Sequence, residues 1–206
     1  MEQLKDVVGI VAIVLTFAGY APYFRDVIKG KTQPHVYSWF LWGFVTFIAA
    51  ALQISGGAGI SGLVTLTAAT MCSTVFVLGF LKKGARDITR SDTIFFILGF
   101  VALGFWLIAE QPVISIILVT IIDLLGFAPT IRKSWNKPYS ETVSFYLLNT
   151  VRFGLAIMAL HSYTIVTAAY PITWAVANGI FGAILLIRRR QLGEFERSSE
   201  TLTPQK

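Results

Sequence analysis

Two ionisable residues lie inside stretches of sequence that are otherwise apolar. Asp123 is near the middle of the apolar stretch 112–131, and Arg152 is near the middle of the stretch 142–160. A charge at the centre of a bilayer costs about 2.5–3.5 kcal/mol, so such residues usually pair or line a cavity. They predict either a substrate or proton site or a structural ion pair. At a helical rise of about 1.5 Å per residue they lie at nearly the same depth, so we expect their side chains to approach each other or to share a water-lined cavity.

Amide and indole side chains in apolar stretches of the sequence are further candidates for the site. Asn149 precedes Arg152 by three residues, and Trp174 precedes Asn178 by four, so each pair shares one helix face. An indole ring can cover the C–H face of a small solute while an amide pairs with its hydroxyl groups. The same residue types are also compatible with packing between helices. The predicted substrate-binding residues are Asn178, Trp174, Asn149, Trp42, Thr67, Thr70, Asp123 and Arg152.

The sequence carries little that points to an enzyme or a metal site. Cys72 is the one cysteine, so an intramolecular disulfide is excluded. His35 and His161 are expected at opposite faces of the membrane, too far apart to bind one metal ion. Neither a phosphate-binding glycine loop nor a Ser-His-Asp arrangement is recognised. We therefore expect no enzymatic activity, no cofactor and no metal site.

Composition indicates that these residues belong to a membrane protein. Of the 206 residues, 55% are apolar and only 14% are charged, whereas a soluble domain has about 25% charged residues. Seven apolar stretches are each long enough to cross a bilayer, and open strands cannot satisfy their backbone in lipid. We therefore predict an all-α membrane protein with seven transmembrane helices. The predicted spans are 7–24, 36–54, 58–81, 93–109, 112–131, 142–160 and 163–187.

The basic residues are concentrated in alternate connections between these spans. Fifteen of the 17 Lys and Arg residues follow the first, third, fifth or seventh span, and only Lys5 and Arg152 do not. Basic connections stay in the cytoplasm, so the N-terminus is predicted outside and the C-terminus inside. Topology and contact with anionic membrane lipid then explain the net charge of +6, and no nucleic-acid partner is expected. Three tryptophans near span ends are predicted to anchor the chain at the membrane interface, namely Trp39, Trp106 and Trp135.

An internal repeat organises the spans. Gly19-Tyr20-Ala21-Pro22 recurs as Gly126-Phe127-Ala128-Pro129, 107 residues later, and each copy is followed by a basic connection and two further spans. We predict two parallel three-helix bundles joined by a linker helix, a 3+1+3 arrangement that places the substrate between the bundles near the midplane. The predicted units are 1–84, the first bundle; 85–110, the linker helix; 111–190, the second bundle; and 191–206, a cytoplasmic tail.

The prolines of the repeated motif are candidate hinges. Pro22 and Pro129 each remove a backbone hydrogen bond from the helix that contains them. Each is compatible with a plain kink at a helix end or with a hinge for alternating access. Because both copies of the repeat carry the proline, we predict that they are hinges.

The motifs resemble those of the SWEET and PQ-loop superfamily. The resemblance rests on the two three-helix units, on the proline that closes the first helix of each, on the stretch from Tyr139 to Ser144, and on Pro171 followed by Ala177-Asn178-Gly179. The segment from Lys31 to Trp42 is similar to that of small bacterial seven-helix members. The chain has Pro-Tyr and Pro-Thr in place of the Pro-Gln that names the family, and the second helix of each unit lacks a proline.

The resemblance implies a membrane transporter. A member of this superfamily is expected to carry a small polar solute, in the first place a sugar, across the bacterial inner membrane by rocking of the two bundles, with Asn178 facing the solute. Two alternatives stay open, namely a proton-coupled carrier of amino acids or other charged solutes, and a membrane receptor that does not transport. Since both bundles lie in one chain, a monomer and a homo-oligomer are both compatible with the sequence.

Overall fold

The computed structural model describes residues 2–82, residues 90, 93, 94 and 97, and residues 111–202, with side chains described as far as residue 192. Within these ranges the chain is helical and contains no β-strand. The predicted linker helix, 93–109, lies outside the described residues apart from 93, 94 and 97, and so does most of the predicted unit 85–110.

Six α-helices and one short 3-10 turn form the described fold. The helices are α1 (Glu2–Ile28), α2 (Val36–Ser55), α3 (Ile60–Leu81), α4 (Pro112–Asn136), α5 (Val143–Met158) and α6 (Ile165–Leu202). The 3-10 turn, Pro138–Ser140, connects α4 to α5. The helices α4, α5 and α6 correspond to the predicted fifth, sixth and seventh spans.

Length and composition make this a helical membrane protein. Five of the described helices are long and apolar enough to cross a membrane, and only α5 is shorter. The 16 residues of α5 reach about 24 Å at the rise of an α-helix, somewhat less than the roughly 30 Å of the hydrocarbon core. Large apolar side chains cover the outer surface, among them Val14, Phe17, Phe80, Ile121 and Val176. An apolar exterior around buried polar groups is the arrangement that lipid requires.

The last helix differs from its prediction. The apolar pattern ends at residue 187, whereas α6 continues through the polar segment to Leu202. That segment is rich in Arg, Gln and Glu, which favour helix, and the next proline comes only at position 204. Hydrophobicity therefore located the membrane-crossing part of the helix but not its end.

The packing of the six helices is symmetric in its pattern of partners. Helix α3 packs against both α1 and α2, and α6 packs against both α4 and α5. The first helix group is thus α1, α2 and α3, and the second is α4, α5 and α6. Between the two groups, α1 packs against α5 and α2 packs against α4. Every one of these pairs is preserved when α1, α2 and α3 are exchanged for α4, α5 and α6. The two groups therefore meet through equivalent contacts, and the centre of the fold lies between them.

Aromatic side chains fill that centre. Trp39 packs with its ring centroid 5.0 Å from Tyr23 and 5.7 Å from Phe145, and it is fully buried. The prediction that Trp39 anchors the chain at the interface is therefore wrong, because its face of α2 points at α1 and α5. Trp135 is 51% exposed, as an interfacial residue should be, and Trp106 lies outside the described residues.

Candidate functional site

A small cavity lined by buried side chains lies at the centre of the fold. Its volume is about 40 Å³, enough for about three water molecules. All six described helices contribute to its wall, and every lining side chain is at most 7% exposed. The lining residues are Tyr20, Trp39, Trp42, Thr46, Ala68, Cys72, Asp123, Phe145, Tyr146, Asn149, Arg152, Phe153, Tyr170, Trp174 and Asn178.

Asp123 is anchored to the cavity wall through one of its two carboxylate oxygens. Oδ2 accepts hydrogen bonds from the Tyr170 hydroxyl and from Trp174 Nε1, each 2.7 Å long. Because the Tyr170 hydrogen is used in this bond, the Thr46 hydroxyl, 2.9 Å away, donates to Tyr170. Oδ1 is buried and has no hydrogen-bond partner among the described residues. Helix α6 thus holds the carboxylate in place while one oxygen stays free.

Arg152 is held in a similar way by its own helix. Its Nε donates to Asn149 Oδ1 at 2.9 Å, and Asn149 Nδ2 donates to the backbone oxygen of Phe145 at 3.1 Å. The guanidinium carbon lies 3.8 Å from the centroid of the Phe153 ring, a cation–π contact. Nη1 is buried and has no partner within the described part of the chain. Asn149 therefore positions Arg152, since both ends of its amide are already used.

The two charged groups share the cavity without forming an ion pair. Both Asp123 and Arg152 line the same space, yet their charged atoms lie more than 4.0 Å apart. The sequence offered direct approach and a shared cavity as the two outcomes, and the structure has the second. A structural ion pair that locks the two helices together is absent between these two residues.

Tryptophan residues form the wall between the two helix groups. Trp42 Nε1 on α2 donates to the backbone oxygen of Asp123 on α4 at 3.0 Å. The Trp42 ring meets the Trp174 ring edge-on, with centroids 5.8 Å apart, a favourable aromatic geometry. Both predicted tryptophans are therefore cavity residues, and the Trp42 bond joins the first helix group to the second.

Asn178 completes the polar lining contributed by α6. Its Nδ2 donates to the backbone oxygen of Trp174 at 2.8 Å, which leaves Oδ1 as the amide atom available to the cavity. Asn178, Trp174 and Tyr170 are spaced by four residues and lie on one face of the helix. The spacing pointed to Trp174 and Asn178 but did not include Tyr170, which continues the same series by one turn.

Two of the eight predicted residues lie outside the cavity. The hydroxyls of Thr67 and Thr70 bond back to Leu63 and Leu66 of their own helix, at 2.9 and 3.1 Å. This back-bonding is common for threonine in membrane helices. The cavity face of α3 carries Ala68 and Cys72 instead. The Cys72 sulfur is 3.0 Å from the Tyr20 hydroxyl.

The two motif prolines lie inside continuous helices. Pro22 is within α1, which continues to Ile28, and Pro129 is within α4, which continues to Asn136. Each stands two positions from a cavity or core aromatic residue, Tyr20 and Phe127. Equivalent places in α1 and α4 are what the repeated motif predicted. Their action as hinges stays a prediction.

A buried cluster that the sequence did not identify lies beside the cavity, on the side of the basic connections. The Glu141 carboxylate binds Lys133 Nζ through Oε1 at 2.5 Å, and its Oε2 accepts from the hydroxyls of Tyr23 at 3.1 Å and Tyr146 at 2.9 Å. These residues, here called the Glu141 cluster, tie α1 to α4 and α5. Tyr146 also lines the cavity. The Glu141 cluster therefore borders the cavity on the side of the basic connections.

A smaller contact lies at the opposite end of the helices. His161, in the connection before α6, bonds through Nε2 to Asp6 Oδ1 of α1 at 3.0 Å. The backbone nitrogen of His161 also donates to Ala58 O in the connection before α3, at 3.4 Å. Both contacts join the first helix group to the second. The two helix groups are therefore in contact at both ends of the fold.

Comparison with known proteins assigns no family. No protein-family model matches the chain, and no curated protein or solved structure matches it. Among the described residues, no group of three or more His, Cys, Asp or Glu side chains is placed to hold a metal ion. The functional argument therefore depends on the geometry of the cavity.

Proposed function

We propose that the protein is a membrane transporter that moves a small polar solute by alternating access. The observation that carries the proposal is the central cavity, with one unpartnered atom on each of two buried charges, Asp123 and Arg152. Unsatisfied charges at that depth are costly in a membrane protein and mark a substrate or ion pathway. A purely structural core could replace both residues with apolar ones at no loss.

The proposed architecture is the 3+1+3 arrangement of seven transmembrane helices. Two observations support it: the helix contacts are unchanged when the first group is exchanged for the second, and Pro22 and Pro129 occupy equivalent places in α1 and α4. The predicted span 93–109 would link the groups and bring both into the same orientation. The substrate site of a parallel repeat lies at the interface of the two units, where the cavity is.

Contacts at the two ends of the helix groups support alternating access. The Glu141 cluster joins the groups at the end that carries the basic connections, and the Asp6–His161 bond joins them at the other. We propose that one set opens while the other stays closed, with Pro22 and Pro129 as the flexible points of α1 and α4. The positive-inside rule places the Glu141 cluster on the cytoplasmic side, with the N-terminus outside.

The conformation described here leaves little room for a solute between the helix groups. A cavity of about 40 Å³ is well below the 300–1,000 Å³ of typical ligand pockets. Solute binding must therefore separate the helix groups, for example at the bond from Trp42 to the Asp123 backbone. The aromatic walls and the free Oδ1 of Asn178 suit a small polar solute.

Uptake by the purified full chain in proteoliposomes tests the proposal. Vesicles are loaded with an unlabelled sugar and amino-acid mixture, and the counterflow of each labelled solute is measured. Saturable counterflow of at least one solute is expected, with loss in Asn178→Leu and retention in the matched control Thr70→Ala, whose side chain faces away from the cavity. Binding without counterflow would contradict the carrier proposal and favour a receptor.

A further inference from the structure

The cavity contains one anion and one cation, and each is held by neutral groups. Among its lining residues, Asp123 and Arg152 are the only charged side chains, with 1% and 2% exposure. Tyr170 and Trp174 hold one oxygen of the carboxylate, and Asn149 holds Nε of the guanidinium. These hydrogen bonds hold the two charged groups in separate positions, so that they do not form an ion pair.

Each charge keeps one atom for a further partner. Asp123 Oδ1 and Arg152 Nη1 are buried and have no hydrogen-bond partner in the described part of the chain. An oxygen of an ionised carboxylate only accepts hydrogen bonds, and a guanidinium nitrogen only donates them. A ligand that satisfies both must therefore present a donor to α4 and an acceptor to α5.

The charges of the cavity restrict the class of ligand further. Asp123 and Arg152 carry opposite charges and line the same cavity, so a single anion or a single cation would leave the occupied cavity with a net charge, which is costly where both groups are buried. A neutral sugar adds no net charge, but it offers neither group a partner of opposite charge. A molecule with one positive and one negative group compensates both, through charge-assisted hydrogen bonds, which are the strong ones.

We infer that the transported solute is a small zwitterion, whose ammonium group binds Asp123 Oδ1 and whose carboxylate binds Arg152 Nη1. This inference rests on the proposed carrier function and names the substrate class of the same cavity. The buried rings of Trp42, Trp174 and Phe153 lie around the two charges, so we expect the rest of the solute to be small and largely apolar. The free amino acid alanine has this chemistry.

The wild-type protein provides the first test. Three solutes that differ by one group each are compared as competitors of labelled alanine counterflow: alanine, propionate without the ammonium group, and ethylamine without the carboxylate. We expect alanine to compete at least tenfold better than either analogue, and better than glucose. Preference for glucose, or equal competition by all three solutes, would overturn the inference.

Two single variants test which residue binds the ammonium group of alanine and which binds its carboxylate. In Asp123→Asn, alanine should compete no better than propionate, because the ammonium group has lost its partner. In Arg152→Gln, alanine should compete no better than ethylamine. Thr70→Ala, outside the cavity, should keep the wild-type order. The inference is wrong if both variants keep the full tenfold preference for alanine over both analogues.

A double variant covers the case in which a stranded charge prevents folding. Asp123→Asn combined with Arg152→Gln leaves a neutral cavity and is expected to fold. Thermal unfolding should then show no stabilisation by alanine beyond that given by either analogue, whereas the wild type is stabilised by alanine alone. Equal stabilisation of both proteins by alanine would contradict the inference. Counterflow of glucose but not of alanine would contradict the zwitterion inference and would still support the carrier proposal. Absence of counterflow for every solute would contradict the carrier proposal itself.

Discussion

Tyr170 on α6 and Asp123 on α4 are joined by a hydrogen bond of 2.7 Å, in which the phenol donates to carboxylate Oδ2. Trp174, one turn further along α6, donates to the same oxygen. One oxygen of the carboxylate thus has two donors and the other has none. Helix α6 therefore fixes the direction in which the free oxygen points into the cavity.

Removing the Tyr170 hydroxyl should weaken this anchor. In Tyr170→Phe, Asp123 Oδ2 keeps only the Trp174 bond and Thr46 loses its acceptor. Hydrogen bonds to charged groups contribute about 1.5–3 kcal/mol, so we expect a loss of stability of about that size. Thermal or denaturant unfolding of the full chain in detergent measures it. Thr70→Ala removes an outward hydroxyl and should cost less than half as much; equal losses in the two variants would contradict the anchoring role.

The Glu141 cluster should hold the basic end closed. Glu141→Gln removes the ion pair with Lys133 and, since the carboxylate is buried, weakens the contact between α1 and the second helix group. Cys72 lines the cavity and is the one cysteine in the sequence, so its labelling by a thiol reagent reports opening. We expect several-fold faster labelling of Glu141→Gln than of wild type when the reagent is added from the cytoplasmic face.

A matched control separates this effect from a general change of charge. Glu2→Gln makes the same chemical change at an exposed site near the start of α1, and it should leave the labelling rate of Cys72 unchanged. Cys72→Ala should abolish labelling. If Glu141→Gln labels no faster than Glu2→Gln, the Glu141 cluster is not a closing contact.

Close packing of α2 on α3 should make Gly43 sensitive to substitution. A Cβ at Gly43 would lie 2.6 Å from the Ser73 Oγ and 3.3 Å from the Ser73 backbone nitrogen, whereas a Cβ at Gly154 would meet nothing within 4 Å. We expect Gly43→Ala to cost about 1–3 kcal/mol through overpacking. Gly154→Ala, in the interior of α5, should be neutral or stabilising by up to about 1 kcal/mol through helix propensity. Unfolding experiments that rank the two variants the other way would show that the helices are not packed as described.

The basic connections predict the orientation of the whole chain. With 15 of 17 Lys and Arg residues on one side, a reporter enzyme fused after Lys206 should be active in the cytoplasm. A second reporter fused before Met1 should be active only outside. Activity of the C-terminal reporter on the outer side alone would reverse the orientation and exchange the proposed roles of the two closing contacts.

The sequence predicted six of the fifteen residues that line the cavity but not the hydrogen bonds between them. The depth of Asp123 and Arg152 follows from helix rise, and the shared faces of Asn149 with Arg152 and of Trp174 with Asn178 follow from helical spacing. Rise and spacing do not fix the rotation of one helix against another. For that reason the sequence could not show that Asp123 bonds to α6 and remains apart from Arg152.

The wrong predictions for α2 and α3 have the same origin, because the sequence does not fix the rotation of a helix about its axis. The internal repeat points to Thr67 and Thr70 as the α3 counterparts of the α6 site residues, but rotation of α3 turns Ala68 and Cys72 to the cavity. Trp39 was assigned to the interface from its distance to the span end, yet its side of α2 faces inward. Glu141 lies in a connection, where no periodicity applies, and its Tyr23 and Tyr146 partners come from two different helices.

Access to Cys72 from both sides of the membrane tests the central claim most directly. Right-side-out and inverted vesicles from cells that make the full chain are treated with a membrane-impermeant methanethiosulfonate, and the labelling of Cys72 is followed over time. Because the cavity is proposed to open alternately to each face, we expect Cys72 to be labelled in both preparations, more slowly when a transported solute is present. Labelling from one face only, with the same rate in the presence and absence of transported solute, would contradict alternating access through this cavity.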